Sequence, residues 1–200
     1  MSNVFWENGY DNLESETFGK PSDEVYDIAR KLKRGSRILD VGAGEGRNAI
    51  YLSEQCFNVD AFDISEKGIN KLNYLASKKG IYINSFICDV SNFIFCWQYD
   101  LIIAHGILQF IDRSIRNEFI EQMKNFTKVG GYNVVSVFTD TTEISEDLKD
   151  LMIGVFKDGE IKNFYTKWNV DYKSYSFNDE HENGIKHLHS ANKIIAQKTE

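Results

Sequence analysis

The sequence predicts an α/β fold: a mostly parallel seven-stranded sheet with helices on both faces and a C-terminal antiparallel hairpin. Three observations lead there. Five apolar runs alternate with helix-period segments between Arg37 and Phe138, the pattern of parallel strands joined by crossover helices. Polar residues recur at the ends of those runs, at Asp40, Asp63, Asp89 and His105, where ligands of open parallel sheets bind. Beyond them, Trp168–Phe177 and His187–Gln197 alternate as strands around a polar turn, Asn178–Gly184, which predicts the hairpin.

The elements follow in chain order. Residues 2–20 carry Phe5, Trp6, Tyr10 and Phe18 among acids and glycines without a clear period; they predict an irregular arm or short helix. Pro21 opens a helix to Lys33, with Ser22 and Asp23 as caps and Val25, Ile28, Ala29 and Leu32 as its apolar stripe. Ile38–Val41 is the first strand and Asn48–Gln55 the first crossover helix. Val59–Phe62 is the second strand. Glu66–Lys79 is helical, stopped by Gly80. Ile81–Cys88 and Tyr99–Ala104 are the third and fourth strands. Arg113–Lys128 reads as a helix ended by Gly130-Gly131, followed by a fifth strand, Tyr132–Phe138. Asp147–Phe156 reads as a helix, and Glu160–Tyr165 as a second, short one.

Composition bounds the function. Two hundred residues, 42% apolar and 26% charged, suit one ordinary globular domain. No linker or repeat interrupts it, so 1–200 is expected to be one domain: arm 1–20, core 21–140, C-terminal helices and hairpin 141–200. Apolar runs fall short of the roughly 20 residues needed to span a bilayer, and the acidic N-terminus does not read as a secretory signal. Cys56, Cys88 and Cys96 form no C-x-x-C pair and read as reduced, mostly buried thiols of a cytoplasmic protein. A net charge of −7 disfavours a nucleic-acid partner. The expected partner is a small molecule, with no membrane, and the expected state a monomer or homodimer.

The chemistry centres on RILDVGAGEGRNAIYL, residues 37–52. A strand, a glycine turn and a helix start offer free N–H groups and a positive dipole end to a ligand. Gly42, Gly44 and Gly46 recur at every second position, and Arg47 stands where a dinucleotide fingerprint would have its third glycine. Asp40, just before the turn, repels a pyrophosphate and attracts an amine or sulfonium. Asp63, about 20 residues on, suits either a ribose hydroxyl or a helix cap, and Ile64 can pack on an adenine face. Tyr10, Trp6 and Phe18 can close over a cationic ligand or simply pack. His105 can act as a general base, a substrate anchor or a loop hydrogen bonder. His181, His187 and His189 gather in the hairpin. His187 and His189 would share a strand face, but without a third ligand of clear spacing no metal is expected.

DVGAGEGRNAIYL resembles motif I of class I S-adenosylmethionine (SAM) methyltransferases. With the FD of AFDIS, the CDV of FICDVS and the late VGGYNVVSVF, it is similar to their tellurite-resistance (TehB-type) branch; an ENG turn at Glu182–Gly184 extends the match. The resemblance implies a Rossmann-like fold and SAM as cofactor, with S-adenosylhomocysteine (SAH) as product. It places Asp40, Gly42, Ala43, Gly44, Gly46, Arg47 and Asn48 around the cofactor. Asp63 and Ile64 would lie at the ribose and adenine, and Asp89 and Val90 at the adenine edge, although Asp89 also suits a turn. His105 faces the methyl group in the family fold, and Tyr10 can reach the sulfonium. His105 and His187 are the catalytic candidates. The implied reaction is direct displacement onto a small acceptor, a chalcogen oxyanion or thiol. A small oxygen or nitrogen nucleophile, or SAM binding without catalysis, remains the alternative. Ala43, where many relatives have cysteine, and Asp179 and Lys186 near the turn depart from the branch.

Overall fold

A computed structural model describes residues 5–144, 146–180 and 186–200, with the side chains of Phe5, Asp147, Asp179, Glu180, Lys186 and His187 outside that description. The strands form one seven-stranded sheet in the order β3-β2-β1-β4-β5-β7-β6. The chain divides into two compact units, Met1–Ile103 and Ala104–Glu200.

The first unit opens with α1 (Phe5–Gly9) and α2 (Asp23–Ala29). The second helix is shorter than the predicted 21–33. Pro21 lies before the N-cap Ser22, whose side chain makes no capping bond. Then come β1 (Arg37–Val41), α3 (Arg47–Glu54), β2 (Asn58–Asp63), α4 (Glu66–Lys78) and β3 (Asn84–Ile87). Strands β1, β2 and β3 pair in parallel, with Asp40 opposite Ala61 and Asp63 opposite Ile87. Strands β1 and β2 are nearly continuously buried, as sheet strands covered on both faces must be. Ile38, Leu39, Val41, Ala61, Phe62 and Leu72 supply the core. The expectation of mostly buried thiols does not hold: Cys56 and Cys96 are exposed and Cys88 half-buried. Cys56 sits in the left-handed region (φ 65°) at the turn after α3, outside the core.

Strand β4 (Tyr99–His105) precedes α5 (Arg113–Asn125), β5 (Thr127–Phe138), α6 (Glu146–Lys149), α7 (Glu160–Asn163), β6 (Asn169–Glu180) and β7 (Lys186–Gln197). The predicted hairpin is present: β6 pairs antiparallel with β7, and β7 with β5, leaving β6 at the end of the strand order. Part of the predicted turn, with His181 and Glu182–Gly184, lies outside the described residues.

Two further predicted helices differ. The 113–128 helix stops at Asn125. The Thr127 hydroxyl donates to Met123 O (2.7 Å), and β5 starts there, running through the glycines predicted to end the helix. The 147–156 helix shrinks to the four residues of α6, because tertiary bonds claim its backbone. Gly154 N–H donates to Gln109 O (3.0 Å), and Phe156 bridges to Thr139. The fully buried Arg116 secures this loop. Its guanidinium lies 3.5 Å from the Phe156 ring centroid, donates to Gly154 O and pairs with Glu160 at 2.7 Å.

Gly46 caps α3 at φ 87°, and a Cβ there would lie 2.6 Å from Leu72 Cγ on α4. Gly46→Ala combines left-handed backbone strain with overpacking and should destabilise by about 2–4 kcal/mol. Urea unfolding is the check; a loss below about 0.5 kcal/mol would mean that α4 moves aside freely.

Candidate functional site

Strand β1 delivers Asp40 to the start of the glycine turn, only 2% exposed. The Ala49 N–H of α3 donates to its carboxyl. Its Oδ2 has no hydrogen-bond partner among the described residues. Burial lifts the carboxyl from its ordinary 3.8 to about 7, against the pull of the Arg47 charge and the Ala49 N–H; Asp63 adds a smaller push upward. A buried oxygen without a protein donor is costly unless something else satisfies it.

Asp63 closes the turn from β2. Its Oδ2 accepts from Gly44 N–H and its Oδ1 from Ser65 N–H, both at 2.8 Å. The N-cap of α4 is Ser65, whose hydroxyl accepts from Gly68 N–H at 3.0 Å, so the capping role open for Asp63 belongs to its neighbour. Burial raises the Asp63 carboxyl, opposed by those two amides. Two backbone donors leave a carboxylate with further acceptor capacity. Ile64 beside it is 62% exposed.

Asp89 follows β3. Its Oδ1 accepts from Ser91 N–H (2.8 Å) and the Ser91 hydroxyl (2.7 Å), which caps a 3₁₀ turn over Val90–Asn92. The turn-forming role is therefore present, carried by one oxygen of the pair. Val90 is half-buried. The loop after β3 is propped by stacked rings: Phe93 lies 4.4 Å from Phe62, and Phe86 5.8 Å from Phe62.

The arm lies on the glycine turn. Tyr10 is buried, with its hydroxyl against Gly44: a Cβ at that glycine would lie 2.5 Å from the phenol oxygen. Phe18 meets the Tyr10 ring edge-on at 5.7 Å. Burial, then the charges of Asp63 and Glu45, push the Tyr10 phenol far above its ordinary range. Arg47 donates to Phe18 O at 3.0 Å, and Asn48 Oδ1 accepts from Ser22 N–H at 3.2 Å. Arg47 and Asn48 thus both direct side chains to backbone on the N-terminal side of β1.

Two residues here were not singled out from the sequence. Glu45, between two glycines, accepts from Phe18 N–H at 2.8 Å and pairs with Lys71 at 2.7 Å; both are buried. Lys71 lies between Ile69 and Leu72 on the buried face of α4. That position was its only sequence signal.

In the second unit, His105 ends β4 and is half-buried. His189 is buried, its ring 5.0 Å from Phe138 and 5.5 Å from Phe177. His187 stands opposite Asp179 in the β6–β7 ladder; its side chain lies outside the description. Among the described residues, no three histidine, cysteine or acidic side chains gather as a metal would require, and no helix is long and apolar enough to cross a membrane.

Residues 7–194 match the family model "Tellurite resistance protein TehB". The chain belongs to the TehB family. It is 30% identical over 170 residues to the Haemophilus influenzae protein named "Probable S-adenosyl-L-methionine-dependent methyltransferase TehB", covering 82% of this chain and 58% of that one; the chain thus spans little more than half the length of this relative. The crystal structure of TehB from the same organism superposes with a TM-score of 0.80 at 26% identity, covering 89% of this chain and 62% of that one. Magnesium protoporphyrin IX methyltransferase from Synechocystis, solved with bound SAM, shares the fold at a TM-score of 0.65 and 13% identity, covering 96% and 90% of the two chains.

Asp40 also links stability to pH. Its carboxyl ionises at 3.8 in the unfolded chain and at about 7 in the fold. The folded state holds the proton more tightly, so the group's favourable contribution is complete below 3.8 and lost as pH rises through 7. That loss is on the order of a few kcal/mol. Asp40→Asn should flatten the decline in unfolding free energy between pH 4 and pH 8, measured in urea; an unchanged slope would assign the titration to other groups.

Proposed function

We propose that the chain is a SAM-dependent methyltransferase acting on a small-molecule acceptor. The observation that carries this reading is the buried Asp40 oxygen that lacks a donor among the described residues, at the start of a glycine turn and near a second acid, Asp63. A ligand bringing an ammonium or sulfonium satisfies such a site, whereas a pyrophosphate is repelled. In this reading Asp40, with the Gly42–Arg47 turn, Ala43 and Asn48, holds the amino-acid end of the cofactor. Asp63 accepts from the ribose, Ile64 and Val90 flank the adenine, and the free side of Asp89 accepts from its amino group. Tyr10 faces the sulfonium. TehB relatives and SAM-bound structures of the same fold support the reading.

SAM, when bound, supplies an electrophilic methyl group that an acceptor takes in one displacement. The protein's share is alignment and exclusion of water, which in favourable cases contributes roughly 7–11 kcal/mol. The acceptor we favour is a soft chalcogen oxyanion or a thiol, which ionises near neutral pH without a strong base. His105 anchors or deprotonates it, with His187 as the second candidate. The net charge of −7 favours a small molecule over a nucleic acid. One domain, acting in the cytoplasm as a monomer or homodimer, completes the proposal.

Calorimetry with SAM, SAH and NAD tests the cofactor; NAD binding as tight as SAM would sink it. Transfer of labelled methyl to tellurite, selenite, thiols, and oxygen or nitrogen nucleophiles tests the acceptor. Transfer only to the last class would remove the chalcogen reading. Asp63→Ala should raise the SAM Kd roughly 10- to 100-fold, as losing a charge-assisted hydrogen bond does. Unchanged affinity with a lowered melting temperature would leave Asp63 a purely structural role.

A further inference from the structure

The Lys71 ammonium is fully buried, and its surroundings are specific. It is 2.7 Å from Glu45 Oε2, and it donates to Gly9 O at 2.9 Å and Thr17 Oγ1 at 2.8 Å. Two hydrogen bonds and one close ion pair thus surround the ammonium. Two of the three belong to the arm. Glu45 repeats the pattern: its Oε2 faces Lys71 and its Oε1 accepts from Phe18 N–H. The Thr17 hydroxyl also donates to Gly9 O, which closes residues 9–17 into a loop around the ammonium. Buried ion pairs contribute little net stability, because desolvation offsets their attraction. Breaking one is nonetheless expensive, so the pair enforces one arrangement more than it stabilises the fold. The arrangement enforced is the position of Tyr10, next in sequence to Gly9 and packed against Gly44.

We infer that Lys71 and Glu45 are positioning residues for the cofactor: they latch residues 9–18 so that Tyr10 stays on the glycine turn. The inference rests on the SAM reading for its effect on binding, but not for the latch itself. If the arm lifts, Lys71 loses its hydrogen bonds to Gly9 O and Thr17 Oγ1 and keeps only the Glu45 ion pair, and Glu45 loses the Phe18 amide. Closure is therefore all-or-none around one ammonium. A cofactor in the turn would be retained by the same closure, through Tyr10.

Hydrogen exchange and calorimetry on the full chain test this. Lys71→Met keeps the buried stem and removes the charge. It should raise amide exchange across residues 8–18 at least 10-fold while leaving β1 and β2 protected. It should raise the SAM Kd at least 10-fold in the wild-type background and less than 2-fold in a Tyr10→Ala background. Thr17→Val removes one latch acceptor from an exposed position and should move both readouts in the same direction, by a smaller factor; it serves if Lys71→Met fails to fold. Arm exchange unchanged in the variants overturns the latch. Arm exchange raised with SAM affinity unchanged overturns the positioning role. An equal loss of affinity with and without Tyr10 would place Lys71 on the cofactor rather than on the arm. If the wild-type protein binds no SAM, the proposed function falls, and the exchange data alone decide the latch.

Discussion

The absence of side chains at positions 44 and 46 is the constraint on which the first unit depends. At Gly46 the missing Cβ lets Leu72 of α4 come into contact with the turn, and at Gly44 it lets the Tyr10 phenol do the same. Each approach brings further groups. With α4 comes Lys71, and with the arm come Gly9, Thr17 and Phe18. A side chain at either glycine would push one partner off and break a buried set of polar bonds, which cannot be re-formed in water-free packing at another spacing.

Charge around the turn follows the same economy. Asp40, Glu45 and Asp63 are three acids within a short stretch of the fold, and burial raises two of them. Glu45 is answered by Lys71, and Arg47 draws Asp40 downward. What is left is an excess of acids around the turn, with Asp40 Oδ2 without a hydrogen-bond partner among the described residues. Such a site discriminates by sign before it discriminates by shape.

The fold was largely legible because its signals were local. The apolar runs of β1 and β2, the glycine turn, the stripe of α4 and the alternation of β6 and β7 each lie within a dozen residues. What escaped was decided at long range. Residues 147–156 have helical spacing, but the carbonyl of Gln109 and the ring-stacked Arg116 claim that backbone. Thr127 ends α5 with its own hydroxyl, before the glycines that seemed the obvious stop. In the candidate site, the acids at strand ends were visible as positions, but the partners that set their state were not. Arg47 and Asn48 read as ligand residues, and their bonds to Phe18 O and Ser22 N–H could not be seen from the sequence. Lys71 was not singled out, because spacing alone does not say what will cover a lysine on the apolar face of a helix.

The order of the strands has a consequence at the far end of the sheet. Strand β6 is twelve residues long and terminal in the order, so its outer ladder is a template for another extended chain. Asp171 and Lys173 are both exposed along this strand, and a chain docking there would have to strip water from both signs of charge at once. Opposite charges kept in water on one terminal strand thus raise the cost of adding a further strand at this edge.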